Sequence, residues 1–140
     1  MREQIYPEPT VGALIFNRNK KVLLVQSDRW GGIYVVPGGH IELGEKVEET
    51  VIREVKEETG LDVYDLEFIM MQECVFDEKF YRKMHFIFLD YSCMTDAHED
   101  DVILNHEAQA YSWVTLDEAL DMPLDPYTRR LIERVLISPS

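Results

Sequence analysis

The sequence predicts a single α/β or α+β domain in which helices pack against a mixed β-sheet. The chain has 140 residues, of which 46% are hydrophobic, and this is enough for one domain with a substantial core. Apolar β-prone segments recur along it, and two longer segments carry helical spacing or helix-capping residues. Because no internal repeat, low-complexity tract or linker interrupts the sequence, we expect one domain over residues 1–140.

The first part of the chain is predicted to contain a hairpin and a short strand. Residues 1–9 are polar with two prolines, and we expect them to form a loose lead-in. Residues 10–16 and 21–26 are apolar and β-prone, and the intervening NRNK predicts a hairpin. Residues 33–36 form a predicted strand that ends at the turn signal Pro37-Gly38-Gly39.

A helix is predicted over residues 45–59. Val47, Val51 and Val55 recur every four residues and form an apolar stripe on this helix. Gly60 is placed to end the helix, because glycine readily adopts the left-handed conformation that helix ends require.

The second part of the chain predicts three strands and two helices. Residues 65–76 and 80–94 have the composition of two long strands, and residues 110–114 that of a further strand. Thr115 to Glu118 fits a capping box for a short helix. Asp125-Pro126 is the predicted N-cap and first residue of a last helix to about residue 137.

The composition limits the classes of partner. Fourteen basic and 27 acidic residues give a formal charge of −13, which should repel nucleic acids and anionic membranes unless cations intervene. No signal peptide or apolar run of about 18 residues is evident, so we expect a cytoplasmic protein. Cys74 and Cys93 lie in apolar runs and are expected to be buried thiols.

Three glutamates lie beside the valine stripe of the predicted helix. At about 100° per residue, Glu54, Glu57 and Glu58 share an arc of about 100° that borders the stripe. Adjacent carboxylates at the edge of a core repel each other and lose hydration, and such oxygen clusters suit Mg²⁺ or Mn²⁺. An amphipathic helix with salt bridges explains the same periodicity, so the spacing alone leaves both interpretations open.

The order of residues from Gly39 to Leu61 is far more specific than their periodicity. The segment reads GHIELGEKVEETVIREVKEETGL. It resembles the Nudix box, Gly-x5-Glu-x7-Arg-Glu-U-x-Glu-Glu-x-Gly-U, where U is a bulky aliphatic residue, and it matches every position. A chance match is on the order of 10⁻⁹ to 10⁻¹⁰ per start position. The segments PGG and WVTLDEAL also resemble the family, so the whole chain resembles one Nudix domain, with a mixed sheet sandwiched between helices.

The resemblance implies a metal site on this helix. Glu54, Glu57 and Glu58 are the implied ligands, together with the backbone carbonyl of Gly39, and the implied cofactor is Mg²⁺ or Mn²⁺. The resemblance also implies that Arg53 orients these carboxylates through charge-assisted hydrogen bonds.

For the other candidate residues, a role implied by the resemblance stands beside an ordinary structural explanation. Glu45 is implied to brace the loop, although an acid favoured by the helix dipole explains it equally well. Gly38 and Gly39 are implied to let the loop approach metal and substrate, whereas Gly60 is better explained as a helix stop. Arg29 is a candidate phosphate clamp, and a solvent-facing loop cation is the alternative.

The implied reaction is hydrolysis of a nucleoside diphosphate linked to another moiety, in which a metal-activated water attacks phosphorus. A carboxylate must take the proton from this water. Glu57 in the motif is one candidate for this base. Glu107, six residues before Trp113, is the other and is also a candidate metal ligand, with an ordinary surface acid as its alternative.

The segments EAQAYSWVTLDEAL and LDPYTRRLIERVL resemble the small nucleoside-triphosphatase branch, which favours a (deoxy)nucleoside triphosphate pyrophosphohydrolase. The alternatives are an oxidised-nucleotide sanitising enzyme and a nucleotide-sugar or ADP-ribose pyrophosphatase. Against the ADP-ribose and NADH branches, no proline occurs between Leu61 and Met122.

A non-catalytic nucleotide sensor is the alternative of another class. Such domains typically lose glutamates of this run, and all are present here, so the resemblance predicts an active enzyme. RNA decapping is a third option, which the acidic charge and the absence of a basic patch disfavour, so the expected partner is a small nucleotide and neither nucleic acid nor a membrane. Relatives are often dimers, so a homodimer is one assembly to expect.

Overall fold

One mixed seven-stranded sheet forms the centre of the computed structural model, which describes residues 4–26, 31–79 and 83–137. The strands are β1 Glu8–Phe16, β2 Val22–Gln26, β3 Tyr34–Val35, β4 Gly38–His40, β5 Tyr64–Val75, β6 His85–Met94 and β7 Ala110–Val114. The helices are α1 Val47–Thr59, α2 Leu116–Ala119 and α3 Pro126–Ile137, and Glu99–Asp101 forms one 3₁₀ turn. The predicted α+β class is therefore confirmed.

Local signals placed most of the helix and strand boundaries correctly. Gly60 adopts a φ of 76° at the end of α1 and its amide donates to Lys56 O at 3.0 Å, which confirms it as the helix stop. Thr115 caps α2 by accepting a hydrogen bond from the Glu118 amide at 3.1 Å. The Asp125 carboxylate accepts from the amides of the second and third residues of α3, as expected of its N-cap.

Two expectations near the start of the chain need correction. Strand β1 begins at Glu8, inside the expected lead-in, and Gln4 exchanges hydrogen bonds of 2.7 and 2.8 Å with the His85 backbone. The predicted turn at Gly38 and Gly39 is instead strand β4, paired with β1. A Cβ at Gly38 would overlap the carbonyl oxygen of Val11, so only glycine permits this close pairing.

The sheet divides around β1. Its order is β3-β2-β1-β6-β5, with β1 and β6 parallel and β5 and β6 antiparallel. Strands β1 and β2 pair at Phe16 and Val22, but residues 10–12 of β1 pair with β4. Strand β2 pairs instead with β3 and β7. The two halves of the sheet therefore separate beyond the hairpin, and this separation makes room for a cavity.

The core has two parts, one on each face of the sheet. Successive residues of a strand point to opposite faces, so Leu14 and Ile15 of β1 enter different clusters. Ile15 packs with Val51 and Val55 of α1, whereas Leu14 packs with Leu131 of α3. The sheet thus lies between α1 and α3. Both cysteines are buried and free, as predicted.

None of the described helices combines the length and the apolarity that crossing a membrane would require.

Candidate metal centre and adjoining cavity

Arg53 of α1 donates hydrogen bonds to three carboxylates and lies 3.4 Å from a fourth, that of Glu42. Its Nε and Nη2 donate to the two oxygens of Glu45 at 2.7 and 3.0 Å. Its Nη1 donates to Glu54 at 3.0 Å and to Glu57 at 3.2 Å, and Nη2 also donates to the His40 carbonyl at 3.0 Å. The guanidinium therefore ties the helix carboxylates to the loop before α1, and it makes the contacts expected of an orienting residue.

Glu45 holds the loop in place. Besides the paired bonds from Arg53, its carboxylate accepts from Thr50 Oγ1 at 2.7 Å and from the Glu42 amide at 3.0 Å. The Arg53 hydrogen bonds, followed by that of Thr50, lower the pKa of Glu45 to about 2. Glu45 is therefore a fixed anion and makes the bracing contacts that were expected of it.

A second group of carboxylates meets on the cavity side of α1. Oxygens of Glu54, Glu58 and Glu107 all lie within 4.8 Å of one another. Glu58 also accepts a hydrogen bond from the Gly38 amide at 3.0 Å, which fixes its carboxylate beside β4. Glu54 lies directly over Gly39, where any Cβ would overlap its carboxyl group. Glycine at that position is therefore required for this arrangement of Glu54.

The loop that carries Glu107 is attached to α1 by backbone hydrogen bonds. The amides of Ile103 and Asn105 donate to the carbonyls of Thr59 and Glu58 at 2.8 and 3.3 Å. Further on, the Gln109 amide donates to Gln26 O at 2.9 Å. The loop thus bridges the end of α1 and the end of β2, which brings a distant glutamate to the helix.

Among the cavity-side carboxylates, only Glu54 is paired with a basic side chain in the described part of the protein, that of Arg53 at 3.0 Å. Burial, followed by the charges of Glu107 and Glu54, raises the pKa of Glu58. Burial also raises the pKa of Glu54, although Arg53 opposes the shift. Within residues 4–26, 31–79 and 83–137, no basic side chain forms an ion pair with Glu58 or Glu107.

Three crowded carboxylates, with the pKa values of Glu54 and Glu58 raised, form a donor set that fits a hard divalent cation. Mg²⁺ and Mn²⁺ prefer oxygen ligands, and carboxylates are the usual protein donors for them. Glu54, Glu58 and Glu107 are the residues that would hold such an ion. The ligand roles of these residues and of the Gly39 carbonyl remain predictions.

Glu57 lies apart from this cluster. Its side chain is 53% exposed and its carboxylate is paired with Arg53 at 3.2 Å. Helical spacing placed Glu54, Glu57 and Glu58 on one arc, but the fold directs Glu57 toward the guanidinium and Glu58 toward the cavity. A role for Glu57 as ligand or base remains a prediction, and Arg29 lies outside the described residues.

A cavity of about 220 Å³ opens beside the carboxylate cluster, where the two halves of the sheet separate. Glu58, Glu107 and both glycines of β4 line one end of it. The remaining walls are mainly apolar, and they include Val25, Val35, Phe86, Phe88, Tyr127 and Leu131. The charged end is negative, so an anionic part of a ligand can bind there only together with a cation, whereas the apolar walls suit a planar organic part.

The residues at the inner end of this cavity were not predicted from the sequence. Phe86, Phe88 and Asp90 alternate along β6 and line the cavity together, as period-two spacing allows. Asp90 is only 4% exposed. An aspartate in the middle of an otherwise apolar strand was the signal that could have drawn attention to it.

The fold and the site together define an α+β protein that presents a carboxylate cluster at the mouth of a ligand cavity. The NUDIX domain model matches residues 6–135. Since this match covers nearly the whole chain, the chain belongs to the Nudix family of hydrolases, as the glutamate motif predicted.

The similar proteins include several kinds of Nudix enzyme. NAD-capped RNA hydrolase NudC of Enterobacter sp. (strain 638) is 32% identical over 139 residues, covering 94% of this chain and 49% of that protein. The ADP-ribose pyrophosphatase of Methanocaldococcus jannaschii is 43% identical over 61 residues, covering 43% of this chain and 36% of that protein. The crystal structure of a MutT NUDIX hydrolase from Burkholderia pseudomallei superposes with a TM-score of 0.77 at 27% identity, covering 94% of this chain and 99% of that one.

The chain spans about half the length of the NudC relatives that it matches. Their name includes an RNA substrate, and another relative is named for ADP-ribose, a branch that the absence of proline argued against. The substrate branch and the absence of a nucleic-acid partner therefore remain predictions.

Proposed function

We propose that this chain hydrolyses a nucleoside diphosphate linked to another moiety, with Mg²⁺ or Mn²⁺ as cofactor. The preferred substrate in this proposal is a (deoxy)nucleoside triphosphate, cleaved to the monophosphate and pyrophosphate. The observation that carries the proposal is the convergence of Glu54, Glu58 and Glu107 at the mouth of an apolar cavity. The resemblance of the C-terminal segments to the small triphosphatase branch supports the choice of substrate.

Charge explains why the carboxylates and the cofactor belong together. A chain of charge −13 repels a polyphosphate, and the carboxylate cluster adds to this repulsion where the ligand must bind. When bound, the divalent cation neutralises the diphosphate and acidifies a coordinated water. The residues Glu54, Glu58 and Glu107 would hold it, and Arg53 keeps the Glu54 carboxylate in position through the 3.0 Å hydrogen bond.

The chain must also supply a group that accepts the proton of the attacking water. The new bond joins the water oxygen to phosphorus, the bridging P–O bond breaks, and the proton moves to a carboxylate. Glu107 and Glu57 are the two candidates. Glu107 lines the cavity where the diphosphate would lie, whereas Glu57 is turned to Arg53, so position favours Glu107 as the base.

A substrate panel tests this proposal. Deoxy- and ribonucleoside triphosphates, ADP-ribose, NADH and NAD-capped RNA are incubated with the protein in Mg²⁺ and then in Mn²⁺, and the phosphorus products are identified. We expect pyrophosphate release from triphosphates to be fastest. A protein that binds one of these ligands tightly and hydrolyses none of them would be a nucleotide sensor, and the proposal would be wrong.

Two isosteric variants separate the candidate bases. Glu107→Gln should lower kcat more than Glu57→Gln, because Glu107, unlike Glu57, lines the cavity. Removing a general base typically costs about 10²- to 10⁴-fold in rate. Glu48→Gln removes the same charge from an exposed position of α1 and is the matched control. If Glu57→Gln has the larger effect on kcat, the base is Glu57.

A further inference from the structure

Two buried aspartates line the inner part of the cavity, and they differ in how their oxygens are used. Asp125 is 3% exposed, and both of its oxygens accept hydrogen bonds within the cap of α3, from the Tyr127 and Thr128 amides and the Thr128 hydroxyl. Asp90 is 4% exposed, and its Oδ2 accepts from Gln72 Nε2 at 2.9 Å. Within the described ranges, no group donates a hydrogen bond to Asp90 Oδ1. Asp90 therefore presents an unused acceptor at the cavity.

The backbone keeps a path open in front of this oxygen. Gly12 of β1 is the neighbour of Asp90 on β6, and a Cβ at Gly12 would lie 2.7 Å from Asp90 Oδ1. On its other side, Gly12 pairs with Gly38, whose amide binds Glu58. Since adjacent strands are about 4.8 Å apart, the backbones of Asp90 and Gly38 are about 10 Å apart across the sheet, and the Asp90 carboxylate extends over Gly12 between them.

The walls between the two ends suit a flat ring. Phe88 meets the Tyr127 ring edge to face, with centroids 5.0 Å apart, and it stacks on Phe86 at 5.7 Å. Valines and Leu131 complete the lining. Asp90 Oδ1 faces this mainly apolar cavity, and a ligand N–H group can donate a hydrogen bond to it there.

We propose that Asp90 is a specificity-determining residue, whose Oδ1 accepts a hydrogen bond from the exocyclic amino group of a nucleobase in the cavity. Cytosine and adenine are then selected over uracil and hypoxanthine, their matched oxo counterparts. The proposal rests on the proposed function, because the diphosphate must occupy the Glu58 end of the cavity. At the position of the amino group an oxo base carries an acceptor, so it can donate to Asp90 Oδ1 only if the base shifts to present its ring N–H, and this shift weakens binding.

Gln72 determines how this acceptor is held. Its Nε2 donates to Asp90 Oδ2 at 2.9 Å and to the Tyr127 carbonyl at 2.8 Å, so both amide hydrogens are used. In Asp90→Asn, the same Gln72 donor keeps the new amide oxygen on its own side, and the new NH₂ group then faces the cavity. The variant therefore presents a donor where the native chain presents an acceptor.

The experiment compares two pairs of nucleotides, dCTP with dUTP and ATP with ITP. For each nucleotide, kcat/KM with Mg²⁺ is measured, and the matching monophosphates are tested for binding by calorimetry. The assays run at about pH 8, where the carboxyl of Asp90 is ionised because burial raises its pKa to about 6. We expect the native chain to prefer the amino member of each pair by at least about tenfold. Asp90→Asn should favour the oxo member.

Two further variants keep the result interpretable. Gly12→Ala places a methyl group against Asp90 Oδ1 and should abolish the preference without inverting it. Glu73→Gln removes one negative charge from an exposed position of β5 and should leave the preference unchanged. An amino-to-oxo ratio near one in the native chain, or an equal ratio in native chain and Asp90→Asn, overturns the proposal. If the chain binds the amino nucleotides selectively but hydrolyses none of them, the Asp90 proposal stands and the proposed enzymatic function is refuted.

Discussion

Glu45, just before the start of α1, and Glu58, near its end, are the same type of residue in opposite electrostatic environments. At one end, Arg53 donates two hydrogen bonds to Glu45 and lowers its pKa to about 2. At the other, burial and the nearby Glu107 raise the pKa of Glu58. The sequence does not distinguish Glu45 from Glu58, since both are glutamates of the same motif. The difference is whether a basic side chain among the described residues provides the positive charge.

This contrast separates carboxylates that shape the site from carboxylates that are free to bind. Glu45 is saturated with donors and holds the loop, so it has little capacity left for a cation. Glu58 has one backbone donor and two acidic neighbours, and a divalent ion from solution would offset their repulsion. Glu54 belongs to both regions, because Arg53 binds it while it remains in the carboxylate cluster.

The largest effect should follow from removing the cavity-side anion. Glu58→Gln keeps the shape of the side chain but removes the charge, so kcat/KM with Mg²⁺ should fall on the order of 10³-fold. Steady-state hydrolysis of the preferred nucleotide measures this, with Glu48→Gln as the exposed control on the same helix. A loss smaller than tenfold would show that Glu58 is not needed to hold the cofactor.

A smaller loss should follow from weakening the Arg53 side. Arg53→Lys keeps the charge but cannot donate to Glu45, Glu54 and His40 O together, so activity should fall about 10- to 100-fold. Lys56→Arg is the matched control, because Lys56 lies on the same helix and pairs with exposed Asp62. Native activity in Arg53→Lys would mean that charge alone, without the forked geometry, positions Glu54.

Local signals predicted the fold better than they predicted the site. Gly60 and Asp125 mark helix ends through backbone chemistry that acts within a few residues, and both were recognised. Strand β4 was missed because its glycines read as a turn, and only the partner strand β1 makes them extended. Pairing between distant segments leaves little local trace in a sequence.

The same limit applies to the functional residues. Glu54 and Glu58 were identified because they share one helix, and Glu107 was identified through the family resemblance alone. Asp90 was missed, because the role proposed for it depends on the gap between β1 and β2 and on Gln72, which is distant in sequence. The helical wheel grouped Glu57 with its neighbours, since a wheel gives direction around a helix but not the location of Arg53.

Metal binding should distinguish the two ends of α1 by stability. Saturating Mg²⁺ should stabilise the native chain by about 2.7 kcal/mol at 100 times Kd, which corresponds to a Tm increase of several degrees. Glu58→Gln should raise the Tm of the metal-free protein, since it removes a buried repelled charge, and should reduce the Mg²⁺ effect. Thermal unfolding with and without EDTA measures both. An equal Mg²⁺ effect in native chain and variant would place the ion elsewhere.

The smallest effect, and the most direct test of the contrast, is the opposite pH dependence of the two ends. The folded pKa of Glu45 is lowered to about 2 from an ordinary 4.5, so its contribution is present above about pH 4.5 and is lost as the pH falls toward 2. The folded pKa of Glu58 is raised, so in metal-free protein its penalty is absent below about pH 4.5 and grows as the pH rises.

Urea unfolding from about pH 3.5 to 8 is compared for native chain, Glu45→Gln and Glu58→Gln. As the pH rises, the free energy of unfolding of the native chain should increase relative to that of Glu45→Gln. Over the same range it should decrease relative to that of Glu58→Gln. Mg²⁺ should cancel only the second trend, because only that end would hold the ion. Parallel pH trends for the two variants would mean that Arg53 and the cavity do not divide the carboxylates of α1 in this way.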